Sequence, residues 1–189
     1  MVQLVPGREC GECTQCCIVP AIDNADFQKA PASVCRHCDK GCNIYETRPQ
    51  TCRTYYCGWR WLDIFPDDWR PDKSGVFAQL EDEGAPQFQS SVVINLILTG
   101  NPLKTLRQPW FLDFVTKGVT NNKAALYLGL PGPKGRQSAS LPLNTRDVIE
   151  ATKRSRAEVR IALEKVLKRL SSHDFIPHVL EFSGHDMST

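Results

Sequence analysis

Nine cysteines lie within the first 57 of 189 residues, and this crowding constrains the chain more than any other feature. The stretch CGECTQCC, from Cys10 to Cys17, holds four of them. CRHCDKGC then holds three, and RPQTCRTYYC holds two. A segment rich in prolines and cysteines buries too little apolar surface to fold unaided, and a bound metal ion can supply the missing stability. The sequence therefore first raises the question of what these thiols bind.

Metal ligation explains the cysteines better than a disulfide framework does. Their number is odd, the N-terminus lacks the basic and apolar regions of an export signal, and the cytosol keeps thiols reduced. Adjacent Cys16 and Cys17 have poor geometry for a disulfide, but they can face two metals or two sides of one site. We therefore expect a cytoplasmic protein whose cysteines bind metal.

Composition argues against two other classes of partner. The formal net charge is +2, and the basic residues of the C-terminal segment alternate with acidic ones, which is typical of a solvated helix. The most apolar run, VVINLIL, is interrupted by Asn95 and falls far short of the roughly 18 residues that span a bilayer. We expect a soluble chain with a protein partner, and neither a membrane nor a nucleic acid as partner.

The cysteine spacing indicates the type of site but leaves the metal open. Cys10, Cys13 and Cys16 are each three residues apart, as in the loop that wraps three corners of a cuboidal iron–sulfur cluster. The fourth ligand of such a cluster comes from a distant segment, for which the candidates are Cys35, Cys38, Cys42, Cys52 and Cys57. Nine cysteines make two four-ligand sites with one left over, or one site with five left over. Thiolates suit both zinc and iron–sulfur.

Cationic and aromatic side chains are interleaved with the cysteines. Four arginines could donate N–H groups to sulfur or could lie on the surface: Arg36, Arg48, Arg53 and Arg60. Five aromatic residues are expected to pack around the site and exclude water: Tyr45, Tyr55, Tyr56, Trp59 and Trp61. His37 lies inside a CxxC turn, where a side chain usually points away from the metal, so we do not expect it to be a ligand.

Three segments, CGECTQCC, GCNIYETRPQTCR and CGW, give the chain a family resemblance. Over residues 10–61 it resembles the CxxCxxCC or YkgJ-like cysteine-cluster proteins, which are described as zinc- or iron-chelating. The resemblance makes Cys38 the ninth, non-essential thiol. It implies that the other eight cysteines form the metal site: Cys10, Cys13, Cys16, Cys17, Cys35, Cys42, Cys52 and Cys57. Flagellin lysine-methylating enzymes have a similar cluster, but this chain departs from them beyond it.

The expected function is binding of iron, as a cluster such as [4Fe–4S], or of zinc. The protein would then act as a structural or metal-carrying module for protein interaction. Two alternatives remain, namely a component of an iron–sulfur-dependent redox or protein-modifying enzyme, and a thiol redox sensor. The sequence has no recognisable catalytic motif, so we do not expect the chain to be an enzyme on its own.

The predicted fold class is α+β. Residues 1–73 form a loop-rich cysteine module, and residues 74–189 form a small antiparallel sheet with two helices and a flexible tail from Phe175. The predicted strands are 75–81, 89–98, 124–130 and 138–143. The predicted helices are 105–119, with Pro109 in its first turn, and 145–172, with Thr145 as N-cap.

Overall fold

The computed structural model describes residues 3–81, 92–121 and 124–178, which adopt an α+β fold. Its helices are α1 (Gln15–Ile18), α2 (Gln50–Thr54), α3 (Gly58–Trp61), α4 (Pro71–Ser74), α5 (Pro102–Leu106), α6 (Pro109–Asn121), α7 (Arg146–Thr152) and α8 (Arg156–Ser171). Its strands are β1 (Ile22–Asn24), β2 (Phe27–Lys29), β3 (Val76–Glu81), β4 (Val93–Leu98), β5 (Ala125–Leu130) and β6 (Ala139–Pro142). None of the described helices has the length and apolar character needed to cross a membrane.

The main sheet is mixed, and not antiparallel as predicted. Its strand order is β3-β4-β5-β6, with β4 and β5 parallel and the two outer pairs antiparallel. Parallel neighbours need a long crossover connection, which α5 and α6 provide between β4 and β5. Strands β1 and β2 form a separate antiparallel hairpin. All four predicted strands overlap observed ones, although residues 89–91 of the second lie outside the described part of the chain.

Each of the two predicted helices is in fact a pair of helices. The first divides into α5 and α6 because Pro109 lacks an N–H group and disfavours helical geometry in the residue before it. The second divides into α7 and α8, and Ser155 Oγ accepts a hydrogen bond from the Glu158 backbone N–H at 3.2 Å. Thr145 occupies the N-cap position of α7, but its side chain makes no capping hydrogen bond.

The beginning of the predicted flexible tail is anchored to the β5–β6 connection. Backbone N–H groups of Gln137 and His178 donate to the carbonyls of Ile176 and Gly135, at 3.0 and 3.1 Å. Phe175 packs against the main core. Residues 175–178 are therefore held in place, residues 179–189 lie outside the described part, and the flexible tail from Phe175 stays a prediction.

Strand β4 is buried along its whole length because both faces of the sheet are covered. On one face, Ile94, Leu96 and Leu98 contact the core formed with helices α5 to α8. On the other face, Phe77 and Ile97 pack with Val19 from the cysteine-rich region. The N-terminal third therefore covers the sheet face opposite the helices.

The N-terminal third also reaches the helix-side core, around the edge formed by β3. Trp59, Phe65 and Trp69 belong to the same core cluster as the helices. Trp69 contacts Trp110 of α6 edge-on, with ring centroids 4.6 Å apart. These aromatic contacts join the two segments. The division into two domains between residues 73 and 74 stays a prediction.

Candidate metal centre

The first cysteine segment begins with a tight turn that places Cys10 and Cys13 close together. The Cys13 N–H donates to the Cys10 carbonyl at 2.9 Å. Gly11 has a φ of +52°, in the left-handed region that glycine adopts without steric cost. Helix α1 follows directly and carries Cys16 and Cys17. One short segment thus presents four thiols from a turn and a single helical turn.

Later segments bring the other thiols to the same region. The CxxC turn of the second segment closes through the Cys38 N–H, which donates to the Cys35 carbonyl at 3.0 Å. The Cys35 N–H donates to the Cys17 carbonyl at 2.9 Å, which joins the first two cysteine segments. Cys52 lies on α2, and Cys57 occupies the N-cap position of α3.

All eight cysteines predicted as ligands line one cavity of about 360 Å³, and Cys38 does not. All nine thiols are free and half-buried. Four of the five aromatic residues expected around the site line this cavity: Tyr45, Tyr55, Tyr56 and Trp59. His37 lines it as well, whereas Trp61 does not. The His37 Nε2 atom lies 3.2 Å from Arg36 Nε and accepts its hydrogen bond.

The thiols share the cavity without converging on one point. Within residues 3–81, 92–121 and 124–178, no group of three or more His, Cys, Asp or Glu side chains is placed so that it could hold a metal ion. The donor chemistry still fits a metal that prefers sulfur, because eight unpaired thiols face one cavity. Metal binding would therefore require these side chains to move closer together.

Burial and mutual proximity keep several of these thiols protonated. Burial raises the pKa of Cys57 to about 11. Burial also raises the pKa of Cys52 and of Cys38, and the negative charge of neighbouring thiolates raises both further. Cys17 has its pKa raised chiefly by its hydrogen bond with Cys16, and then by burial. A metal ion reverses this effect because its positive charge stabilises thiolates, so binding would release protons.

Asp72 supplies an acceptor beside the first turn. Its carboxylate interacts with the Cys13 thiol and accepts two hydrogen bonds from Arg70, at 2.7 and 2.8 Å. Burial is the main reason that the pKa of Cys13 is raised, and Asp72 contributes to the shift. The hydrogen bonds from Arg70 hold the pKa of Asp72 below its ordinary value.

A buried lysine interacts electrostatically with the cysteines, and the sequence reasoning missed it. Lys29 is 6% exposed, and its Nζ donates to the carbonyls of Ile18, Ala30 and Ser33 at 3.1, 3.0 and 3.0 Å. Three acceptors match the three donors of an ammonium group. Burial lowers the pKa of this lysine below its ordinary value. The negative charge of four neighbouring cysteines opposes this shift: Cys35, Cys17, Cys16 and Cys52.

The alternation in the sequence FQK was the available signal for Lys29. Residues two apart in a strand share a face, so Lys29 lies on the same face as the apolar Phe27, and both are buried. Two of the four arginines considered for this role, Arg48 and Arg60, line the cavity, whereas Arg36 and Arg53 do not. Arg36 donates to His37, Arg60 donates to the Val5 carbonyl, and Arg48 donates to the Tyr45 carbonyl, while Arg53 is exposed.

Tyr55 contributes a polar atom to the cavity that has no partner. Its hydroxyl oxygen is buried and makes no hydrogen bond to any described residue. Its ring packs against Val19, Phe77 and Ile97, the same cluster against which the cysteines at positions 16 and 57 pack. Burial raises the pKa of Tyr55 far above its usual range, and the negative charge of these two neighbouring thiolates adds to the shift.

Comparison of the chain with protein-family models, with curated proteins and with solved structures found no match. The resemblance to the cysteine-cluster family therefore stays a prediction, and the site is argued below from its own residues.

Proposed function

We propose that this chain binds iron, as an iron–sulfur cluster, or zinc, through the eight cysteines that line the cavity. The observation that carries the proposal is the selective sharing of one cavity by these eight thiols, with Cys38 outside it. Thiolates are the ligands that zinc and iron–sulfur clusters prefer. The buried ammonium of Lys29 supports the proposal because a cluster of thiolates carries net negative charge.

The proposed role is a structural or metal-carrying module in the cytoplasm that acts through a protein partner. The cysteine region packs on one sheet face through Val19, Phe77 and Ile97, and Trp59, Phe65 and Trp69 join it to the main core. Metal bound on this region would add to its stability and would couple its folding to metal supply. The absence of disulfides among the described cysteines supports a reducing compartment.

Elemental analysis with an absorption spectrum tests the proposal, on protein purified without oxygen and without a metal-chelating tag. Iron with an equal amount of acid-labile sulfide and a broad visible absorption would identify an iron–sulfur protein. One or two zinc ions per chain without colour would identify a zinc module. A chain that contains neither metal, and takes up neither on anaerobic reconstitution, would contradict the proposal.

Single serine substitutions provide the matched control. Cys52→Ser and Cys57→Ser remove thiols that line the cavity, and we expect each to lower the metal content or the affinity. Cys38→Ser removes a thiol outside the cavity wall, and we expect the wild-type metal content. Equal loss in all three variants would contradict the eight-ligand assignment.

The second candidate function, a thiol redox sensor, is favoured by one observation. The Cys17 side chain interacts with the side chains of both Cys16 and Cys38, so three thiols lie close together. Peroxide could oxidise two of these thiols to a disulfide, with the peroxide reduced to water. Mass spectrometry after mild peroxide treatment would detect this disulfide in metal-free, folded protein. If metal protects the thiols from peroxide, the metal-binding function is favoured.

A further inference from the structure

We propose that Tyr55 is a positioning residue of the metal centre, whose hydroxyl donates a hydrogen bond to a cysteine sulfur once that sulfur is bound to metal. The inference rests on the proposed function and adds a specific role for a residue that is not a ligand. The inference starts from Tyr55, which lines the cavity together with the cysteines. Its hydroxyl is buried and has no hydrogen-bond partner among the described residues.

The cost of an unpaired hydroxyl makes this feature informative. A buried donor that forms no hydrogen bond costs about 1–3 kcal/mol, so such groups are rare unless a ligand or water completes them. The ring of Tyr55 is held by Val19, Phe77 and Ile97, which belong to the sheet and to the loop after α1. The hydroxyl is therefore fixed by packing, and its partner has to come to it.

Sulfur is the acceptor that the surroundings offer. Tyr55, Cys16 and Cys57 pack against the same cluster of Val19, Phe77 and Ile97, and all three line the cavity. A neutral thiol is a weak acceptor, whereas a metal-bound sulfur accepts a strong, charge-assisted hydrogen bond. A metal-bound cysteine sulfur would therefore give this hydroxyl the acceptor that it lacks among the described residues. Hydrogen bonds of this type orient metal ligands and tune the electronic properties of the site.

Tyr55→Phe is the variant that tests the inference, because it removes the hydroxyl and keeps the ring. Tyr127→Phe is the matched control, since Tyr127 lies on β5 and does not line the cavity. Both variants would be made in the full chain and loaded anaerobically with cobalt(II) or with zinc(II). Zinc affinity is measured by competition with a chromophoric chelator.

We expect Tyr55→Phe to weaken zinc binding about 10- to 100-fold, the range found when an outer partner of a metal ligand is removed. We expect the sulfur-to-cobalt charge-transfer band to move to longer wavelength, because a sulfur without its hydrogen bond is richer in electrons. Tyr127→Phe should leave both readouts at the wild-type values. In metal-free protein, Tyr55→Phe should not lower the free energy of unfolding, because it removes an unpaired buried group.

The outcomes separate this inference from the proposed function. Wild-type affinity and an unmoved band in Tyr55→Phe would overturn the inference and leave the eight-cysteine metal site standing. An equal loss of stability with and without metal would also overturn it, since that result describes a packing role. Wild-type protein that binds neither cobalt nor zinc, and takes up no iron–sulfur cluster on anaerobic reconstitution, would overturn both.

Discussion

Phe77 on β3 is the register partner of Ile97 on β4, and the two side chains form the contact between the sheet and the cysteine-rich region. Each is 1% exposed. Phe77 also lines the cysteine cavity. Because side chains alternate along a strand, this pair faces away from the helix-side core that contains Ala78 and Leu96. The sheet is thus the rigid base on which the thiols are arranged.

Replacing Phe77 with alanine should destabilise the protein strongly. The loss of a buried phenylalanine leaves a cavity and costs about 3–5 kcal/mol. Chemical denaturation of wild type and variant in the same metal state measures the difference. Leu103→Ala is the control, since Leu103 on α5 is 48% exposed and its loss should change the free energy of unfolding by no more than about 0.5 kcal/mol. Similar values for the two variants would contradict the assigned contact.

Ser155 should stabilise α8 more than Thr145 stabilises α7. Ser155 Oγ accepts a hydrogen bond from the Glu158 N–H, whereas the Thr145 side chain makes no capping hydrogen bond. Ser155→Ala should therefore lower the free energy of unfolding by about 1 kcal/mol, and Thr145→Ala by clearly less. Thermal or chemical denaturation compares the two variants. An equal or larger effect of Thr145→Ala would contradict this difference in capping.

The sequence contained enough information to predict most strands but not the helix breaks. Strands 75–81 and 124–130 are apolar runs bounded by turns, so the local pattern predicts them well. The break before α8 was missed because the apolar residues on its two sides were assigned to one stripe, although the segment TKRSR between them has none. The segment SRAE, with Ser155 and Glu158 at capping-box spacing, was a local signal for this break.

The local sequence pattern could not predict which segments distant along the chain pack or pair with each other. The parallel pairing of β4 and β5 depends on where α5 and α6 return the chain, and no short segment encodes that. The eight cysteines could be listed from the sequence, and the structure brings all of them to one cavity. The role of Tyr55 could not be predicted, because it follows from burial against Phe77 and Ile97, which are distant along the chain. For Lys29, the alternation in FQK indicated burial, but the sequence did not show which carbonyls the side chain would bond.

The pKa of Asp72 should depend on Arg70. Two hydrogen bonds from the guanidinium hold this pKa below its ordinary value of 3.8. We expect Arg70→Met to raise the pKa of the Asp72 carboxyl toward that value, which NMR titration of its side-chain carbon would measure. Arg146→Met, which changes an exposed arginine at the start of α7, should leave the pKa of Asp72 unchanged. A pKa that stays low in Arg70→Met would assign the shift to another cause.

The same ion pair has a predictable effect on stability at acid pH. Because the folded-state pKa of Asp72 lies below the unfolded value, the pair stabilises the fold above the unfolded pKa. This contribution is lost as the pH falls through the folded pKa. Its size should be no more than about 1 kcal/mol, since both side chains are partly exposed to solvent. Asp72→Asn should therefore differ from wild type near neutral pH and converge with it below pH 3.8.

Lys29 should matter for both stability and metal binding, and two substitutions separate these effects. Lys29→Met leaves the carbonyls of Ile18, Ala30 and Ser33 without their donor, at about 1–3 kcal/mol for each buried acceptor. It also removes the positive charge beside the thiols, so zinc affinity should fall more than in Lys29→Arg, which keeps the charge.

Lys117→Met provides the background for both measurements. Lys117 is exposed on α6. Its replacement should change the free energy of unfolding by no more than about 0.5 kcal/mol and should leave the zinc affinity unchanged. Chemical denaturation and chelator competition on the three variants and the wild type give the comparison. If Lys29→Met and Lys29→Arg bind zinc equally well, the charge of Lys29 does not support the thiolates, and its role is limited to bonding the three carbonyls.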